Sequence, residues 1–162
     1  MKNIIFLRHS KSSWDYNVSD INRPLNERGI SKIKKISSSS KKEFSSIEIF
    51  YSSPANRAIH TAIILARELS QDLSKIKIVE KLYTFSSNEV FDFIKNIDEK
   101  YSNVALIGHN PAYTEIANHF NDKRIDNLPT SRWFSVKFDT DYWADIINLK
   151  PLIYIDNINI EY

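Results

Sequence analysis

Ile4-Ile5-Phe6-Leu7-Arg8-His9-Ser10-Lys11-Ser12 runs from unbroken apolar side chains straight into a fixed cation and an imidazole. Such a run reads as a parallel strand buried on both faces, and in open α/β sheets ligands bind beyond the carboxyl ends of strands. Arg8 and His9 are therefore expected where chemistry is done. Arginine offers a planar fork of donors suited to phosphate or carboxylate, and histidine is a neutral nucleophile or proton carrier near pH 7. An Arg-His pair alone is a weak signal, so the rest of the chain has to decide its meaning.

Two further strand ends carry the same kind of signature. Ile47-Glu48-Ile49-Phe50-Tyr51 reads as a second strand and leads through Ser52-Ser53-Pro54 into a helix with Ala58, Ala62, Leu65, Ala66 and Leu69 at helical spacing. Serine at the N-cap with proline as first helical residue predicts the start of that helix, which puts Arg57 on its first turn. Ile76 to Val79 predicts a short third strand and Asn88 to Asn96 a helix. Asn103 to Ile107 predicts a fourth strand, ending at Gly108-His109-Asn110-Pro111, where Asn-Pro predicts another helix start.

Between the first two strands, Ser10 to Pro24 has no sustained period and reads as a loop. Asn26 can cap a helix to about Lys42 with Ile30, Ile33 and Ile36 as its apolar stripe. The serines 37–40 read as its frayed end. After Arg132, Trp133 to Phe138 and Pro151 to Ile158 predict strands with no helix between them, hence antiparallel; Tyr142 to Ile147 predicts a turn or short helix. The expectation is an α/β fold in one domain over residues 1–162: three layers, αβα, around a mostly parallel sheet with antiparallel C-terminal strands.

Parallel strands bring their carboxyl ends to one edge. His9, His109, Arg8 and Arg57 should therefore meet there, beside two helix N-termini that present free N–H groups and partial positive charge. This is an anion site with very little carboxylate, and a phosphoryl group suits it. A neutral histidine can attack phosphorus and form a covalent phosphohistidine. Arginines and a second imidazole can hold the three equatorial oxygens as charge rearranges, and water can then release the phosphate. No carboxylate cluster is seen beside these strand ends to hold a metal, so no metal is expected.

Composition narrows the classes further. Of 162 residues, 42% are hydrophobic and 26% charged, as in an ordinary globular protein. A net charge of +2 is too small to argue for nucleic acid. With no cysteine there is neither a disulfide framework nor a thiolate zinc site. Nothing reaches the roughly 18 apolar residues of a membrane span, and no signal peptide is read, so the cytoplasm is the expected location. The only glycines, Gly29 and Gly108, preclude a Gly-rich nucleotide cradle.

Four segments together, Leu7-Arg8-His9-Ser10, Arg23-Pro24-Leu25-Asn26-Glu27-Arg28-Gly29, Ser52 to Ala62 and Ile107-Gly108-His109-Asn110-Pro111, resemble the histidine phosphatase superfamily, with its phosphoglycerate-mutase-like fold. The loop Arg8 to Asp15, Leu128-Pro129-Thr130 and Tyr142-Trp143-Ala144-Asp145 are similar to its short SixA-like phosphohistidine phosphatase branch. The resemblance spans essentially the whole chain. It implies that His9 is the phosphorylated nucleophile, that Arg8 and Arg57 bind the phosphoryl oxygens, that His109 completes the pocket, and that neither metal nor cofactor is needed. The implied partner is a phosphohistidine-bearing signalling or phosphotransfer protein. The alternatives are a small phosphorylated molecule or, without turnover, a phosphate-dependent binding protein.

The departures from the family pattern bear on the substrate. Ser10 stands where glycine is common and His60 where glutamine is frequent. Mutase and broad phosphatase branches place a carboxylate acid after the third strand, whereas Leu82-Tyr83-Thr84-Phe85 carries none and only Glu80 and Glu89 flank it. General acid help is typically worth about 10²–10⁴-fold, so its lack argues against alkoxide leaving groups and for phosphohistidine. His60 is expected to pack on or orient Arg57, Trp14 and Tyr16 to anchor the loop rather than stack on a substrate, and Arg23 to shape the loop or pair with a pocket carboxylate. His119 is expected to be an ordinary surface histidine, and Lys32, Lys34, Lys35, Lys41 and Lys42 a solvated face.

Overall fold

Residues 1–161 are described by the structure, a computed structural model. In chain order the elements are β1 (Lys2–Arg8), α1 (Glu27–Ser39), α2 (Lys41–Phe44), β2 (Ile49–Ser52), α3 (Asn56–Glu68), β3 (Ile76–Ile78), α4 (Ser87–Ile94), β4 (Asn103–Gly108), α5 (Ala112–Phe120), β5 (Trp133–Phe138) and β6 (Ile153–Asp156). The strands form one six-stranded sheet in the order β3-β2-β4-β1-β5-β6. β1 to β4 pair in parallel, and β5 and β6 are antiparallel as expected.

The run Ile4 to Leu7 is wholly buried because β1 lies in mid-sheet, between β4 and β5. Its side chains alternate between the two faces, as strand pleating requires. Ile4 and Phe6 pack with Val104 and Leu106 against α4 and α5 through Phe91, Ile94, Tyr113 and Ile116. Ile5 and Leu7 pack with Ala105 and Ile107 against α1 and α3 through Ile33, Ile36, Ala58 and Leu65. Two apolar clusters on opposite faces of one sheet make the three layers. Each fully buried side chain of this size stabilises the fold by about 1.5–3 kcal/mol.

Local chemistry sets the helix ends. Asn26 caps α1, its side chain accepting from Gly29 N at 2.8 Å. The serines are not frayed. Ser37 Oγ donates to Ile33 O at 2.7 Å, and buried Ser40 ends α1 while its Oγ accepts from Trp133 Nε1 at 2.9 Å. The proline-based starts shift by two residues or one: α3 begins at Asn56 after Ala55, and α5 at Ala112 after Pro111, whose peptide bond with Asn110 is cis. Asn110 caps nothing; its Nδ2 donates to Leu128 O and Asn127 Oδ1 instead. Tyr142 to Ile147 is realised as a 3-10 turn, Trp143–Asn148.

Candidate active site

The carboxyl ends of β1, β2 and β4 open on a cavity of about 320 Å³, lined by Arg8, His9, Arg57 and His109 together with residues of the loop after β1. The four residues expected to converge do so. His9, Arg57 and His109 are 8%, 3% and 2% exposed.

Position is imposed first by the backbone. β1 and β4 run in register to Arg8 opposite Gly108, and His9 N donates to Gly108 O at 3.1 Å. The two imidazoles leave adjacent strand ends with ring centroids 5.0 Å apart. Gly108 is where the site approaches α5: an added Cβ would meet the Tyr113 hydroxyl at 2.5 Å. Arg57 is held from behind by Thr61, whose Oγ1 donates to Arg57 O at 2.6 Å and accepts from Ser10 N at 2.9 Å. That one hydroxyl ties α3 to the residue after His9. Ser10 Oγ lies 2.7 Å from Ser131 Oγ, and Ser131, in the left-handed region at φ 65°, donates its N–H to the carbonyls of Arg8 and His9. The loop beyond is pinned by Asn26 N to Lys11 O and Ser13 N to Pro24 O. Gly29 permits this, because a Cβ there would collide with the Lys11 carbonyl.

The hydrogen bonds define the tautomers. His9 Nδ1 lies 2.7 Å from Ser10 O, an acceptor only, so Nδ1 carries the proton. His9 Nε2 therefore presents its lone pair, and it accepts from Arg57 Nε at 3.3 Å. Burial, then the charges of Arg57, Arg8 and Arg23, push the His9 pKa down to about 3 against the pull of the Ser10 carbonyl, so the ring is neutral at pH 7. His109 is likewise pushed down to about 3, by burial first and then by His9 and Arg57. Its Nδ1 faces Arg57 Nη2 at 3.5 Å, so Nε2 donates to Ser53 Oγ at 2.7 Å. Arg8 spends one nitrogen, Nη1, on Leu128 O and Asn127 Oδ1, while its buried Nε has no protein partner. An unpaired buried donor is costly; here it belongs to a residue that lines the cavity.

Sequence reasoning missed one member. Asp20, in the aperiodic loop, is the one carboxylate lining the cavity among the described residues. Its Oδ2 accepts from Arg57 Nη2 at 2.9 Å and from the Tyr83 hydroxyl at 2.6 Å, and its Oδ1 accepts from Arg23 Nε at 3.0 Å. Burial alone would raise its pKa, but the hydrogen bonds from Tyr83, Arg57 and Arg23 outweigh burial and hold it at about 2. Glu80 and Glu89 are exposed and do not line the cavity. Other expectations also change. His60 faces solvent and does not pack on Arg57, whose carbonyl is bonded by Thr61. Trp14 and Tyr16 are exposed, not loop anchors. Arg23 does pair with a pocket carboxylate. His119 is a surface residue near Ile147 O. No three His, Asp or Glu side chains are grouped to hold a metal ion among the described residues, and none of their helices is long and apolar enough to cross a membrane.

The chain resembles known proteins in sequence profile and in fold. The profile of the histidine phosphatase superfamily (branch 1) matches residues 4–86, just over half of the chain. A protein from Agrobacterium tumefaciens assigned as a SixA phosphohistidine phosphatase superposes with a TM-score of 0.75 at 20% identity, covering 95% of this chain and 97% of that one. The protein histidine phosphatase SixA in complex with tungstate gives 0.73 at 22% identity, covering 85% and 88%. A phosphoglycerate mutase from Bacillus anthracis gives 0.68 at 16%, covering 83% and 87%. At these identities the likeness is one of fold: mixed α/β, of the phosphoglycerate-mutase type. No curated protein matches the chain.

Proposed function

Because the chain belongs to the histidine phosphatase superfamily (branch 1), we propose that it is a phosphatase working through a phosphorylated His9, and that its substrate is phosphohistidine on a protein. The observation that carries the first part is the lone pair of His9 Nε2, on a buried neutral ring, facing a cavity lined by Arg8, Arg57 and His109. Nε2 attacks phosphorus as the bond to the leaving nitrogen breaks. The His9 ring becomes a cation whose Nδ1–H stays on the Ser10 carbonyl. Arg57 and the unpaired Nε of Arg8 take the equatorial oxygens, where preorganised charge stabilises the transition state most. The arriving phosphoryl group is a dianion and favours a proton on His109 Nδ1, which then adds a third charged donor. In the second step water bonds to phosphorus, the P–N bond to His9 breaks, and both water protons leave with inorganic phosphate as His9 returns to neutral.

The substrate reading rests on the leaving group. A protonated phosphohistidine leaves as a neutral imidazole that already carries its N–H, so transfer between two imidazoles needs no acid from the enzyme. An alkoxide does need one, and the carboxylate in the cavity is ionised at pH 7. The A. tumefaciens protein, assigned as a phosphohistidine phosphatase, and the tungstate-bound one, named a protein histidine phosphatase, support the same substrate class. The test is rapid-quench incubation with a phosphohistidine-bearing protein. An acid-labile phosphoenzyme should form on the native chain and be absent from His9→Ala. If none forms, the enzymatic reading fails. If simple phosphomonoesters turn over as fast as phosphohistidine, the substrate assignment fails and a small-molecule phosphatase replaces it.

A further inference from the structure

Trp14 and Phe85 both line the cavity, yet they are 77% and 62% exposed. Large aromatic side chains left in water at the mouth of a polar pocket have no role in holding a phosphoryl group. Trp14 is nevertheless fixed. The Arg23 guanidinium lies over its ring, with Cζ 3.6 Å from the centroid, and Arg23 is itself held by Ser12 Oγ at 2.6 Å and Asp20 Oδ1 at 3.0 Å. An immobilised ring with its remaining surface open is preorganised to bind a second planar group. Phe85 follows Tyr83 by two residues, and the Tyr83 hydroxyl is bonded to Asp20 Oδ2. The neighbours of both aromatics, Arg23 over Trp14 and Tyr83 two residues before Phe85, therefore bond one carboxylate, and both aromatics line the same cavity with it.

That carboxylate has capacity left. Oδ2 receives Arg57 and Tyr83, and Oδ1 receives Arg23 alone. A carboxylate offers about four acceptor positions, so one on Oδ1 is open, on a side chain that is 44% exposed. Aromatic faces and a carboxylate share one preference, for a cation: the first through their ring quadrupole, the second through charge-assisted hydrogen bonds.

We propose that Trp14, Phe85 and Asp20 form the leaving-group subsite, and that it takes a planar cation, the protonated imidazole ring of the phosphohistidine donor. This rests on the reading of His9 as nucleophile and adds to it the residues that choose the substrate. The ring stacks at the aromatic rim, its N–H donates to Asp20 Oδ1, and the protonated, reactive form of the donor is favoured over the neutral one. As the P–N bond breaks, the positive charge passes to the His9 ring and the leaving imidazole departs neutral, so charge and protons balance. The low pKa of Asp20 keeps its charge in place throughout.

The subsite acts on the first chemical step only, because the leaving group is gone before water attacks. With phosphoimidazole as donor, rapid quench should show His9 phosphorylation slowed about 10-fold in Trp14→Ala and Phe85→Ala. Trp14→Phe should recover most of that rate. Hydrolysis of the preformed phosphoenzyme should stay within about twofold of native in all three. Unchanged phosphorylation in the alanine variants overturns the subsite while leaving the phosphatase reading intact. Equal slowing of both steps overturns it too, by marking the aromatics as structural. Failure of any donor to phosphorylate His9 in the native chain overturns the phosphatase reading, and the subsite with it.

Discussion

On the floor of the cavity, three groups are fixed by buried neighbours: His9 by the Ser10 carbonyl and by Arg57, the Arg57 backbone by Thr61, and His109 by Ser53. At the rim, Arg23, which lies over Trp14, and Tyr83, two residues before Phe85, come from two loops far apart in sequence and meet through Asp20, a carboxylate half in water. The floor withstands solvent and salt because its hydrogen bonds are shielded. The rim depends on ion pairs that water weakens. A rigid floor suits a phosphoryl group, whose geometry does not vary. A softer rim suits a leaving group that differs from one substrate to the next.

Substitutions can break this contrast in descending order of effect. Arg57→Ala removes the side chain that hydrogen-bonds both floor and rim, through His9 and Asp20, and phosphoenzyme formation should fall by about 10²–10³-fold in rapid quench. Arg57→Lys should restore little of it, since an ammonium cannot span His9 Nε2 and Asp20 at once.

Acid should attack the floor next. His9 and His109 have pKa values of about 3 in the fold against an ordinary 6.5 in the unfolded chain. The unfolded chain therefore takes up protons first, and stability is lost as pH falls from about 6.5 toward 3. The loss by pH 5 should reach at most about 2 kcal/mol for each ring. Thermal unfolding at pH 7 and pH 5 measures it, and His109→Asn should flatten the slope.

Thr61→Val keeps the shape of the floor but strips the buried Ser10 N–H of its acceptor, for an expected loss of about 1–3 kcal/mol in urea unfolding. A value near zero would mean that the floor relaxes more readily than its burial implies. Tyr83→Phe touches only the rim and should leave Tm within about 2 °C of native, while slowing phosphoenzyme formation by about threefold through a looser Asp20. A large drop in Tm instead would make the rim part of the core structure.

What could be read in the sequence follows the same division. Arg8, His9, Arg57 and His109 are legible because each sits where a strongly apolar strand ends or a helix begins, and topology alone gathers such points. Asp20 was not, because its loop has no period and its partners Arg57 and Tyr83 lie 37 and 63 residues away. Trp14 was read as an anchor because an aromatic in a polar loop is usually buried; only the Arg23 guanidinium beneath it explains how it stays ordered outside. The serines 37–40 read as poor helix formers, and the bond from Trp133, 93 residues on, that holds Ser40 at the helix end has no local signal. The helix starts after Pro54 and Pro111 were off by one or two residues, since both prolines act in the turn before the helix.

The parallel pairing of β1 with β4 has one more consequence. Neighbouring strands lie about 4.8 Å apart, and the rings of His9 and His109 are 5.0 Å apart. The separation of the two imidazoles is thus close to the spacing of the strands that carry them, which main-chain hydrogen bonds set. The loop that carries Asp20 adds orientation to that distance, because it grips Arg57 from the side opposite His9. Sheet and loop are thus two separate sources of order, one setting how far apart the rings stand and the other how the guanidinium between them is turned.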